Sequence, residues 1–322
     1  MFYRKVYPGA WHVIKDSPYL LFFGLFASLL GFHEVKLIFT LTESTPDFLS
    51  STFNFWVQLF TTFATVKIDS ANLPALLGLI VIFLILSALV ILAVASQGAL
   101  IKASADKTTR TRNKFTDYLH LGVDKFWPLF GLHLINIFIG YFFVASVINP
   151  LISLVAVSGS LFEYLILSLV VFFILFPLVL ILSFVTRYGM AFIMIKNQKF
   201  LAAFTNSWSL FKINWLITIE NAVVVAVVTL LFLVAMAAGM VFVFVPFFFL
   251  SVFLAGVSTV LYTVIILLGS LAALLIMLTA SALYGAFYNI LWAKVWSELA
   301  TGGRSYSKVY RLGQKHLAFS RR

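Results

Sequence analysis

Cysteine is absent from the 322 residues, so neither a disulfide framework nor a thiolate metal site can form. Charge is nearly absent as well. Charged side chains make up 10% of the chain, against roughly 25% in a soluble domain whose surface has to be wetted. With 62% hydrophobic residues and a mean hydropathy of +1.07, the composition excludes intrinsic disorder, a coiled coil and a secreted disulfide scaffold. What is left is an integral membrane protein, read as one membrane domain over residues 1–322. Acidic residues are the scarcer charge, 11 against 22 basic, for a net +11. In a soluble protein that excess suggests nucleic acid. Here basic residues flanking membrane spans on the cytoplasmic side account for it, and no nucleic-acid partner is expected.

A span needs about 20 apolar residues, because a helix rises about 1.5 Å per residue across a core of about 30 Å. Between Glu220 and Lys294 lie 73 residues without a charge. That is two spans, 217–249 and 260–293, with Pro246 and Gly256 marking the reversal. Between Lys125 and Arg187 only Glu163 is charged. Spans at 126–149 and 161–186 fit there, parted near Asn149-Pro150 and Ser158-Gly159-Ser160, the second kinked at Pro177. Residues 70–101 and 18–39 complete six. A signal peptide is the rival reading of the first, but Lys15 and Asp16 interrupt its approach and no small-residue cleavage site follows. Segments 1–17, 102–125, 187–212 and 294–322 carry 3, 6, 4 and 7 Lys plus Arg, 20 of the 22. Both termini are therefore expected in the cytoplasm of a multi-pass plasma (inner) membrane protein.

The chain also resembles itself. Phe204-Thr205-Asn206 and Phe115-Thr116-Asp117 each open an amphipathic turn that runs into a span, and Gly9-Ala10-Trp11 precedes the first span in the same way. The even spans end alike at Gly98-Ala99, Gly189-Met190-Ala191 and Gly285-Ala286. The expected fold is all-α: six transmembrane helices as three hairpins of one orientation, each preceded by a short cytoplasmic interfacial helix. The copies are 1–101 (with an external loop 40–70), 102–195 and 196–293, followed by a basic tail 294–322. Trp11, Trp208 and Trp215 are the expected interfacial anchors, with Phe204, Trp208, Phe211 and Trp215 on one helical face. Leu49, Phe53, Trp56, Phe60 and Phe63 repeat at helical intervals in the external loop and suggest a further interfacial helix.

Trp208-Ser-Leu-Phe-Lys-Ile-Asn-Trp215, after Ala202-Ala203-Phe204, resembles a signature of a broad bacterial six-helix membrane family of unknown function. It is also similar to the membrane portion attached to some glycerophosphodiester phosphodiesterases. The resemblance implies a six-helix inner-membrane fold. It does not bring the phosphodiesterase activity, whose barrel needs a soluble domain of about 250 residues.

Candidate chemistry is sparse. His33-Glu34 begins like a metalloprotease motif, but Leu37 stands where the second His is needed. His12 and Asp16, and His120 and Asp124, are i, i+4 pairs at equivalent points of two copies. They suit ordinary interfacial pairing, or headgroup binding and acid–base work. His133, Asn136, Arg187, Glu220, Asn221 and Asn289 form a candidate polar layer near the cytoplasmic side, where they either reach the interface or line a pathway. Within it, Arg187 and Glu220 are expected to pair. No catalytic set, cofactor or metal site is expected. The reading is a non-catalytic membrane scaffold or accessory protein, with the lipid bilayer and anionic headgroups at the cytoplasmic face as partners. The alternatives are a carrier or flippase for a lipid or other amphiphile, and a lipid-headgroup enzyme.

Overall fold

The computed structural model describes residues 2–31, 61, 73–106, 114–143 and 161–301. Among them the chain is all-helical, in eight helices: α1 (Phe2–Asp16), α2 (Leu20–Gly31), α3 (Leu73–Ala105), α4 (Lys114–Asp124), α5 (Phe126–Phe143), α6 (Leu161–Lys196), α7 (Phe200–Ala255) and α8 (Thr259–Thr301). With no water to satisfy a bare peptide group inside a bilayer, such an apolar chain has helix as its natural form. Among the described residues, four stretches are long and apolar enough to cross a membrane: Leu77–Ala105, Pro177–Lys196, Phe200–Ala255 and Thr259–Thr301. The expected external loop with its helix, the break at 149–160 and the tail beyond 301 lie outside the described residues.

Three short amphipathic stretches precede apolar ones, each across a small break. Ser17-Pro18-Tyr19 parts α1 from α2, and Lys125 alone parts α4 from α5. The third stretch opens α7 as a short helix, as the sequence suggests, and a kink at Asn214, at φ −120° and ψ 25°, parts it from the long helix that follows. The Asn214 side-chain amide donates to the Leu210 carbonyl at 3.2 Å. Pro246 does not mark a reversal. It lies inside α7, and the chain turns at Gly256, Val257 and Ser258, whose backbone amides at 257 and 258 both donate to the Leu254 carbonyl. Pro177 likewise sits within α6.

The helices outrun the apolar segments that announce them. α6 continues to Lys196, where Asn197 adopts φ 51° and stops it, since a left-handed residue cannot extend a right-handed helix. α8 continues to Thr301, past Lys294 and Glu298. Charge marks where apolar surface ends, whereas the helical hydrogen-bond ladder ends only where a cap or a turn intervenes.

α2 packs on α3, α5 on α6 and α7 on α8, while α3, α6 and α8 also touch one another at the centre. The α7–α8 register is antiparallel: Gly269 meets Phe247, Gly239 meets Ile276, and Thr229 shares a hydrogen bond with Tyr284 at 2.8 Å. α1 lies on α8 and α4 on α3, and Ser207 of α7 faces Gly189 of α6. The core sits at one end of this assembly. Ala95, Ala99 and Ala103 of α3, Tyr188 of α6, and Ala286, Ile290 and Val295 of α8 are wholly buried there. Val6, Ala10 and Ile14 of α1 and Tyr118 of α4 join the same core. At the other end α3 exposes Ile80 through Leu86 one after another, and α8 exposes Val260 through Leu278 along one side. The molecule is a packed base from which apolar helices extend.

Candidate functional site

Many polar side chains in the base bond to backbone carbonyls, and some bond to one another. Gln97 of α3 donates its amide to the Ala27 carbonyl of α2 at 3.4 Å, which leaves its oxygen as acceptor. That oxygen lies 2.7 Å from His133 Nε2, so this ring nitrogen carries the proton. Asn136 is half-buried one turn further along α5. Asn289 donates to the Gly285 carbonyl of its own helix at 2.8 Å and is buried.

A second group gathers where α1, α6, α7 and α8 meet. The Arg187 guanidinium lies over the Tyr288 ring at 4.5 Å and the Trp292 ring at 5.0 Å, where the negative faces of the rings favour a cation. The next residue, Tyr188, shares a 2.9 Å hydrogen bond with Thr218 of α7. One turn beyond Thr218 come Glu220, which accepts from the Tyr3 hydroxyl at 3.1 Å, and Asn221, whose oxygen accepts from the Tyr7 hydroxyl at 3.1 Å. Asn221 is fully buried and its amide nitrogen has no hydrogen-bond partner; the same holds for the indole nitrogen of the buried Trp292. Burial, reinforced by Glu220, pushes the Tyr3 phenol well above its ordinary range. Burial alone pushes Tyr7 up to about 12. Both phenols therefore stay protonated and donate at neutral pH.

The six-residue polar layer read from the sequence thus divides. His133 and Asn136 stand on α5, with His133 tied to α3. Arg187, Glu220 and Asn221 border the four-helix junction. Asn289 is spent within its own helix. Of the paired residues, His12 and Asp16 lie on the exposed side of α1, and His120 and Asp124 on the exposed side of α4. Trp11, Trp208 and Trp215 are all exposed, and Lys212 Nζ lies 6.0 Å from the Trp208 ring. The buried face of the first part of α7 is Ala203, Ser207 and Phe211, so Phe204, Trp208, Phe211 and Trp215 do not share one surroundings: Phe211 turns inward and the tryptophans flank it.

Sequence reasoning missed Gln97, the tyrosines of α1 and Trp127, which is 76% exposed at the start of α5. Tyr3 and Tyr7 stand one helical turn apart in an amphipathic segment, and that spacing is the signal that could have found them. A related tie fastens α4: the Tyr118 hydroxyl donates to Asp106 at 2.7 Å, and burial followed by this bond raises its pKa. Among the described residues no group of three or more His, Asp or Glu is placed to hold a metal ion. The junction offers a positioned cation, a carboxylate, phenols and two buried donors, which is chemistry for holding a polar group. Comparison with family models, curated proteins and solved structures finds no match to this chain.

Proposed function

We propose that the chain is a multi-pass inner-membrane protein with six spans, built as three hairpins of one orientation, both termini cytoplasmic. It serves as a non-catalytic scaffold or accessory protein whose basic face recruits or steadies other components. α2 and α5 supply the two spans beyond the four long ones. The signature at 208–215 adds a likeness to bacterial six-helix membrane proteins. The observation that carries the reading is the packing of the base. Small residues let α8 close on α2, at Gly24, Ala282, Gly285 and Ala286, and α3 on α4, at Ala95 and Gly122, as membrane helices do when no hydrophobic force draws them together. A base packed in this way suits a platform better than a passage.

The second reading, a carrier for a lipid or amphiphile, is favoured by one observation. Seven successive residues of α3, Ile80 through Leu86, are exposed, which covers more than one helical face and leaves room for acyl chains between the hairpins. The two readings part in vesicles. With the purified protein in sealed liposomes carrying a fluorescent phospholipid, the scaffold reading expects transbilayer movement at the rate of protein-free vesicles. A clear acceleration would overturn it in favour of the carrier.

A further inference from the structure

We propose that the outer face of α1 is a docking surface for anionic phospholipids of the surrounding leaflet, which rests on the reading of the chain as an inner-membrane protein with a cytoplasmic base. The inner face, Val6, Ala10 and Ile14, is buried, and α1 packs chiefly on α8. On the other side Arg4, Lys5, Pro8, Trp11, His12 and Lys15 are exposed at intervals of three and four, which makes one continuous stripe. Among the described residues none of Arg4, Lys5 and Lys15 is engaged in an ion pair. Asp16 is the one acid beside them.

The bonds of α1 to α7 set its direction. Tyr3 and Tyr7, four residues and about 6 Å apart along their helix, bond to Glu220 and Asn221, which are neighbours in α7. Helices running side by side would join positions three or four apart on both. α1 therefore crosses α7, and where α7 spans a bilayer α1 lies along its surface. With its inner face on the bundle, its outer face turns to the neighbouring headgroups. The charges choose the occupant. Arg4 and Lys15 stand about 16 Å apart along the helix, too far to converge on one phosphate and suited to several side by side. Trp11 lies between them, 49% exposed, where an indole settles at the headgroup level of a membrane. α4, which leads into α5, lacks the set: its outer face shows Asp117, His120 and Asp124.

The test uses the full chain in detergent, titrated with phosphatidylglycerol or phosphatidylethanolamine, and native mass spectrometry to read retained lipid. The intact protein should retain phosphatidylglycerol in preference. Arg4→Gln, Lys5→Gln and Lys15→Gln together should lower the affinity for phosphatidylglycerol more than about tenfold, since each base near an anionic lipid contributes a factor of about five. The thermal midpoint of this variant without lipid should match the parent's, because the three side chains are exposed and hold nothing in the fold. The same charge change in the tail, Arg304→Gln, Lys308→Gln and Arg311→Gln, should have less effect. Asp16→Asn should strengthen retention. No preference for phosphatidylglycerol in the intact protein, equal losses from the two triple variants, or an Asp16→Asn variant that binds no better would each overturn the assignment. An α1 variant that retains phosphatidylglycerol as the parent does would overturn it too, and leave the face to an acidic protein. Retention in detergent is indifferent to topology, so an inverted orientation shows only in cysteine labelling at Ser305 and is told apart from an inert face.

Discussion

At the scale of the residue, glycine decides how closely the helices approach. A Cβ on Gly24 would overlap the Ala282 carbonyl oxygen, and one on Gly122 the Ala95 carbonyl oxygen. Neither backbone atom can swing aside as a side chain would. Gly24→Ala and Gly122→Ala should therefore part α2 from α8 and α4 from α3, and lower the thermal midpoint in detergent by an amount corresponding to about 1–3 kcal/mol. Gly9→Ala and Gly78→Ala, where nothing lies within 4 Å, should be neutral or slightly stabilising. Equal effects in both groups would refute this. The sequence made Gly98, Gly189 and Gly285 conspicuous by their spacing. Gly24 and Gly122 stayed illegible because their partners lie far away in the chain. Tyr7 supplies a pH prediction. Its folded pKa of about 12 exceeds the ordinary 10.0, so its contribution is complete below pH 10 and is lost as pH rises toward 12. Tyr7→Phe should flatten part of the fall in thermal midpoint between pH 10 and pH 12; a fall as steep as that of the parent would contradict the assignment.

At the scale of the element, the amphipathic stretches were legible and their boundaries were not. Periodicity identifies a helix that buries one face, as Val6, Ala10 and Ile14 do in α1. It cannot say how such a stretch joins the apolar segment after it: Ser17-Pro18-Tyr19 parts α1 from α2, whereas a kink at Asn214 parts the first part of α7 from the rest. The face of that stretch was misjudged for a related reason. Aromatic residues mark both a core and a membrane interface, and only the partner decides which. Ser207, facing Gly189, takes the interior in place of Trp208. α1 yields an element-scale prediction. Its amides should exchange slowly with deuterium, because three buried side chains and two phenols hold it to the base. In a Tyr3→Phe, Tyr7→Phe double variant, α1 should exchange faster while the buried part of α3 keeps its protection. Rapid exchange of α1 in the parent protein would mean that the phenols anchor nothing.

At the scale of the whole molecule, charge and packing bear on the proposed orientation by separate routes. Twenty of the 22 basic residues fall in four alternate segments, and a bilayer retains such segments on the cytoplasmic side. The base contains α1 and α4, and the packed ends of α3, α6 and α8 that lead into Lys102, Lys196 and Lys294, so the helices flanking those segments gather at one end. The contact of α7 with α8 was legible, since the tight turn after Gly256 forces neighbours together. The contact of α8 with α2, which joins the last apolar pair to the first, was not, because nothing in a linear sequence records how its ends meet. If the base is cytoplasmic, the opposite ends of the hairpins face outward. Because the chain has no cysteine, single cysteines can be introduced without background. Ser51→Cys and Ser160→Cys should react with an impermeant maleimide on intact cells, whereas Ser305→Cys should react only after permeabilisation. The reverse pattern would invert the orientation. Labelling of Ser51→Cys but not Ser160→Cys would instead break the six-span count, because it would leave α5 and α6 without a turn on the outer side.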